Sequence, residues 1–291
     1  MLQYAKPIGD KSSPIFEGIF LTLLAASCKK NHDNNPTAPK AVTGVQLTSN
    51  ATFGSIITDN NGRALYLFSD DAANVSTCTG GCAVAWPAFY KENPSIGTGL
   101  AAADFGVITN ADGNKQTTYK GWPLYYYAKD VAVTDVNGDG VGKSWFIAKP
   151  DYTVMVSYAQ LIGHDGNQYT SKGIAGTENS QYITDANGRT LYLFTKDTFK
   201  TNKFSTGVVA HDANWPIGAV TAVQSVPSIL NKPDFDVITV FGQTQLVYKG
   251  HPLYYFGQDN GVKGSTKGVS FPTPGAAIWQ INNTTTVALT Q

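Results

Sequence analysis

The sequence predicts an all-β protein made of four hairpin-based quasi-repeats in two tandem modules, and three observations carry that reading. The phrase Gly-x-x-Leu-Tyr-x-(Phe/Tyr)-x-x-Asp occurs four times, over residues 62–71, 121–130, 188–197 and 250–259, and each copy is followed 15 to 20 residues later by a tryptophan, Trp86, Trp145, Trp215 or Trp279. A unit recurring about every 60 residues signals a repeat architecture. The acidic residues are 18 Asp against 3 Glu, a turn-borne rather than helical acidity, beside abundant Tyr, Phe, Val, Thr and Gly. No 3.6-residue apolar period is long enough for a sizeable helix; short ones are expected only near Ala83–Trp86 and Ser225–Leu230.

Repetition appears on two scales. Thr58-Asp59-Asn60-Asn61-Gly62-Arg63 returns as Thr184-Asp185-Ala186-Asn187-Gly188-Arg189, and Tyr119 to Tyr126 returns as Tyr248 to Tyr255, at separations of 126 and 129 residues. The first module is expected over 47–158, a Gly-, Asn-, Gln- and Ser-rich linker over 159–180, and the second module over 181–291. Within each unit, Asn61-Gly62 and Asn187-Gly188 predict type I′ turns, in which both central residues take positive φ. Lys120-Gly121 and Lys249-Gly250 predict the turns of the second hairpin in each module. Alternation along the phrase puts Tyr66 and Phe68 on one face of the strand and Leu65 and Leu67 on the other, the pattern of a strand covered on both sides. Four equivalent units suggest a propeller-like ring, the alternative being two tandem β-sandwiches.

Charged residues make up 14% of the 291, with a formal net charge of zero, so the clustered basic surface that nucleic acid requires is missing. Residues Ile19 to Cys28 form an apolar run too short to span a bilayer and ending in small residues and a cysteine. The ending Leu24-Ala25-Ala26-Ser27-Cys28 resembles a bacterial lipoprotein signal. That resemblance implies a signal peptide over 1–28, lipid on Cys28, a membrane partner through that anchor and a polar tether over 29–46. Lys29 directly after the cysteine fits delivery to the outer membrane. In the oxidising compartment this implies, Cys78 and Cys82, four apart around two glycines, are expected to form a local disulfide. The first module has no histidine to complete a zinc site, and catalytic dithiols sit two apart at a helix start.

The four Tyr-x4-Asp pairs, Tyr66/Asp71, Tyr125/Asp130, Tyr192/Asp197 and Tyr254/Asp259, stand with Cys-x3-Cys-x3-Trp-Pro at Cys78–Pro87. Together they resemble a family of bacterial secreted-repeat lipoproteins, over about residues 47–288. The resemblance implies export and lipid anchoring but no activity, since the family's function is not established. The second module departs from the pattern, with Gly207 and His211 where Cys78 and Cys82 would align.

Candidate chemistry is sparse. The repeated Tyr and Asp are expected to be structural, the Tyr in the core and the Asp accepting from turn amides; the alternative gathers them around a ligand or cation. Asp135, Asn137 and Asp139, followed by Gly140, resemble the start of a calcium loop, so Ca2+ is a possible ligand, although Phe146 stands where the bidentate Glu belongs. Trp122, at a hairpin tip and replaced by His251 in the second module, is expected to pack on a neighbouring unit or, alternatively, to stack on a sugar. His211 beside Asp212 reads as an exposed loop histidine. No haem, phosphate-loop, nucleophile-elbow or zincin motif is present. The reading is a non-catalytic binding or structural module of the cell envelope with an envelope protein or glycan as partner; the alternative is an envelope enzyme or electron-transfer accessory using the repeated Tyr and Asp with a bound cation.

Overall fold

A computed structural model describes residues 44–73 and 75–291, within a compact unit spanning 41–291. Cys28, the signal peptide and most of the tether lie outside the described residues. The first module contains β1 (Val45–Asn50), β2 (Gly54–Asp59), β3 (Tyr66–Phe68), α1 (Gly81–Ala85), β4 (Phe105–Thr109), β5 (Lys115–Tyr119), β6 (Trp122–Pro123) and β7 (Trp145–Ile147). The second contains β8 (Val154–Ile162), β9 (Gln168–Tyr169), β10 (Asn179–Asp185), β11 (Tyr192–Phe194), α2 (Val209–Asp212), β12 (Phe235–Val240), β13 (Gln243–Tyr248), β14 (His251–Tyr254) and β15 (Trp279–Ile281). The protein is all-β; the expected short helix at 81–85 is present, whereas 225–230 forms a bridge and a turn, and α2 has no counterpart in the sequence reading.

Each module has one strand order. In the second it is a continuous sheet, β12-β13-β14-β11-β15. In the first the equivalents are β4-β5-β6 and β3-β7, joined where Tyr66 bridges Tyr125. The units therefore interlock in pairs: β7, which carries Trp145 of the second unit, pairs with β3 of the first, and Ala88, just after Trp86 of the first unit, bridges Tyr125 of the second. The described strands lie in five sheets of two to five strands, and the last strand of each module's second unit, β7 or β15, pairs with β3 or β11 of its first.

The two faces of the repeated phrase go to different cores. Leu65, Leu67, Leu124, Leu191 and Leu253 meet in one cluster shared by both modules. Tyr66, Phe68, Tyr125 and Tyr127 build a second cluster in the first module, and Tyr192, Phe194, Tyr254 and Phe256 a third in the second. The alternation read from the sequence is thus used in full, one face joining the modules and the other filling each.

Two expectations are corrected. The segment 159–180 is no linker: β8 and β10 pair along seven residues, from Val154↔Asp185 to Asn179↔Gln160, as β1 pairs with β2 from Val45↔Asp59. The second module thus starts near Val154, and the polar stretch is its first hairpin, enlarged by β9. The type I′ turns expected at the Asn-Gly pairs are not found there. At Asn61-Gly62 only Gly62 has positive φ (87°), because Asp59 Oδ1 accepts from the amides of Asn61 (2.8 Å) and Arg63 (3.0 Å) and so dictates the turn; Asp185 does the same at Asn187 and Arg189. The double positive φ of a type I′ turn occurs at Lys120-Gly121 (48°, 75°) and Lys249-Gly250 (48°, 84°).

Candidate functional site

The four Tyr-x4-Asp pairs come together, but not within their own units. Tyr66 Oη donates to Asp130 Oδ2 (2.6 Å) and Tyr125 Oη to Asp71 Oδ2 (2.6 Å); Tyr192 donates to Asp259 (2.7 Å) and Tyr254 to Asp197 (2.8 Å). Each tyrosine is bonded to the aspartate of the other unit in its module. The second carboxylate oxygen closes the loop that follows: Asp71 Oδ1 accepts from the Thr77 amide and hydroxyl, Asp130 from Asn137 N, Asp197 from Lys203 N, and Asp259 from Ser265 Oγ and Lys267 N. All eight side chains are buried. Tyr-to-Asp spacing along the chain thus encodes two roles, a strand residue facing the neighbouring unit and, five positions on, a loop closer.

The tryptophans lie between these pairs. Trp86 and Trp145 stack at 3.7 Å with planes 1° apart, and Phe68 and Tyr127 extend the column at 4.0 and 4.1 Å. In the second module Phe194, Trp279, Trp215 and Phe256 form the same four-ring column, with 3.7 Å between the two indoles. Every motif tyrosine meets the tryptophan of its own unit edge-on, at centroid distances of 5.1 to 5.5 Å. Such aromatic pairs add roughly 0.5–1.5 kcal/mol each beyond buried area. Two glycines admit this packing. A Cβ on Gly138 would stand 2.7 Å from Tyr66 and 2.9 Å from Trp86, and on Gly268 2.7 Å from Tyr192 and 2.8 Å from Trp215.

Burial sets the electrostatics. It raises each motif phenol well above the ordinary tyrosine value, and the facing aspartate raises it further. Burial also pushes Asp71 and Asp197 up to about 6, against the opposing hydrogen bonds they accept, and it raises Asp259. The phenols are therefore fixed donors at neutral pH, a state suited to holding strands together and unsuited to acting as a base.

The remaining candidates separate. Cys78 and Cys82 form the expected disulfide, closing the loop that Asp71 anchors. Asp135 Oδ2 accepts from the amides of Val131 and Ala132, Asp139 Oδ1 accepts from Ile147 N (2.9 Å), and the Asn137 amide is bonded to Asp130. Among the described residues, no group of three or more His, Cys, Asp or Glu is placed to hold a metal ion. His211 is exposed, bonded to Asp212 Oδ1 (2.8 Å) and stacked on Phe204. Trp122 is buried against the second module. The sequence reading passed over a second repeated cluster, in which Arg63 and Arg189 lie over Tyr126 and Tyr255 while Asp59 and Asp185 accept from those phenols. Its signal was the Thr-Asp-x-Asn-Gly-Arg repeat, there assigned to turns alone.

This interlocked pair of units defines a class of all-β repeat. The family model described as "Secreted repeat of unknown function" matches three times along the chain, over residues 47–89, 106–149 and 174–218. The fourth unit is recognised by its structure, since Tyr254, Asp259 and Trp279 occupy the places of Tyr125, Asp130 and Trp145. No curated protein and no solved structure matches the chain.

Proposed function

We propose that the chain is a cell-envelope lipoprotein, anchored through lipid on Cys28 and placed at the outer membrane, that serves as a non-catalytic binding or structural module for an envelope protein or a glycan. The observation that supports a scaffold is the equivalence of the four Tyr–Asp bonds: all are buried and all run between units. An enzyme or electron-transfer accessory would use one or two of the pairs and leave those open to a substrate. The family's description as secreted agrees with export.

The test replaces Tyr66, Tyr125, Tyr192 and Tyr254 singly by Phe. Each change leaves a buried carboxylate oxygen without its donor, so each variant should lose about 1–3 kcal/mol of unfolding free energy. Losses of similar size in both modules sustain the scaffold; one tyrosine that can be changed with no loss of stability breaks it. The anchor is tested separately by detergent-phase partitioning, which the unaltered protein should show and Cys28→Ser should lose.

A further inference from the structure

Beside the shared leucine core, one hairpin tip crosses between the modules. Trp122, at the Lys120-Gly121-Trp122-Pro123 tip of the first module, is 1% exposed and its Nε1–H donates to Ala186 O (3.0 Å) in the β10–β11 turn. Lys263, in the loop after Asp259, lies 3.6 Å over the indole ring and donates to Gly121 O (2.7 Å) and Asp71 O (3.0 Å). The receiving face of the second module is therefore its turn 185–188 together with its loop 260–264.

The first module carries the same face. Its turn 59–62 and its loop 131–134 are related as those two segments are: a Cβ on Gly62 would stand 2.9 Å from Val133 Cγ1, as one on Gly188 would stand 2.5 Å from Lys263 Cγ. Here the loop faces solvent, with Val131 90% and Val133 54% exposed. The second module in turn carries the same tip, Lys249-Gly250-His251-Pro252, and there the chain's own C-terminal tail covers it. His251 Nε2 donates to Val287 O (2.9 Å), Lys249 Nζ donates to Thr284 O and Thr286 O (2.9 and 3.0 Å), and Leu289 N donates to Lys249 O (2.9 Å). Val287 O thus holds the ring N–H of His251 as Ala186 O holds that of Trp122.

We propose that the open face of the first module receives the His251 tip of a second copy of this chain, and that the tail from Thr284 to Gln291 keeps this tip covered until it is displaced. The contact repeats the established junction between the modules. Val133 stands where the second module has Lys263, so an incoming Lys249 meets an apolar patch rather than a like charge. Because tip and face are different surfaces, the association is head-to-tail and extends into an open chain instead of closing as a dimer. The proposal goes beyond the scaffold reading and does not depend on the envelope address.

The test is sedimentation of residues 41–291, which form a compact unit, beside the same chain ended at Asn283 and a Leu289→Asp variant that loosens the tail without removing it. The unaltered chain should be monomeric, and both tail variants should at least double in mass as concentration rises. Val133→Lys, which sets a like charge against the incoming Lys249, should restore the monomer when added to either. Monomeric tail variants with an unchanged circular dichroism spectrum would overturn the proposal, and so would association that survives Val133→Lys. If the shortened chain fails to fold, Leu289→Asp decides. Association that disappears when residues 1–40 are restored would assign the face to that segment and overturn the second copy.

Discussion

The two modules share their interiors and differ in how their loops are closed. The Tyr–Asp exchange, the four-ring column and the glycine beneath it are present in both. The loop after the first motif aspartate is another matter. In the first module the Cys78–Cys82 disulfide closes it. In the second, Asp212 accepts from the amides of Thr206 and Gly207 and from His211, whose ring stacks on Phe204 at 4.7 Å. What is duplicated is therefore what lets two units interlock; a bridge and a cluster of hydrogen bonds are interchangeable ways of pinning the loop outside.

The largest effect expected from this comparison is at the columns. Trp86→Ala and Trp215→Ala each remove an indole packed against its partner tryptophan, and each should cost about 3–5 kcal/mol in denaturant unfolding. The shared leucine core makes the two modules one cooperative system, so a single transition is expected from either variant. Two separated transitions would show that the modules unfold independently and would break the comparison at its base.

Reduction of Cys78–Cys82 comes next. So short a loop limits the loss to about 2 kcal/mol by the loop-closure relation. Hydrogen exchange should rise around residues 76–86 and leave 205–215 unchanged, because the second module closes the equivalent loop without sulfur. A global rise in exchange would mean that the bridge holds more than its loop.

The sequence made the strand content, the unit count and the two-faced phrase legible, since period-2 alternation and a repeated motif are local properties. The pairing of units was not legible. Tyr66 and Asp71 are close in sequence, and nothing local reveals that their partners are Asp130 and Tyr125, 64 and 54 residues away. The β8–β10 hairpin was masked by its polar connection and by the lack of period-2 alternation along Val154 to Ile162, whose first four residues are all buried. Asn61-Gly62 misled because the turn type is set by the Asp59 carboxylate, a side-chain competitor that a dipeptide rule ignores.

A smaller, pH-dependent effect sharpens the comparison. Asp71 and Asp197 have folded values near 6 against an ordinary 3.8, both raised by burial, so the folded state holds these protons more tightly than the unfolded chain. Their contribution is complete below 3.8 and is lost as pH rises through 6. The melting temperature should fall over that window, and Asp71→Asn with Asp197→Asn should flatten the fall equally. Lys263 has the opposite sign: burial lowers it to about 7 from 10.5, so its contribution is present above 10.5 and lost as pH falls through 7. At the junction this second slope comes from Lys263, and Lys263→Met should remove that contribution while leaving the acid window intact.

The smallest expected effect is that of a chelator. In the first module, Asp135 and Asp139 accept from the amides of Val131, Ala132 and Ile147, and Phe146, at the place of a calcium loop's last ligand, is wholly buried in the leucine core. In the second module the equivalent loop is closed by Asp259 with Ser265 and Lys267, without an acidic run. If the acidic residues of 135–139 serve backbone closure as their counterparts do, EDTA should leave the melting temperature of residues 41–291 unchanged and elemental mass spectrometry should find no stoichiometric calcium. A melting temperature lowered by chelation would give the first module an ion that the second cannot bind, and Asp135→Asn with Asp139→Asn should then abolish that shift while every motif tyrosine stays in place.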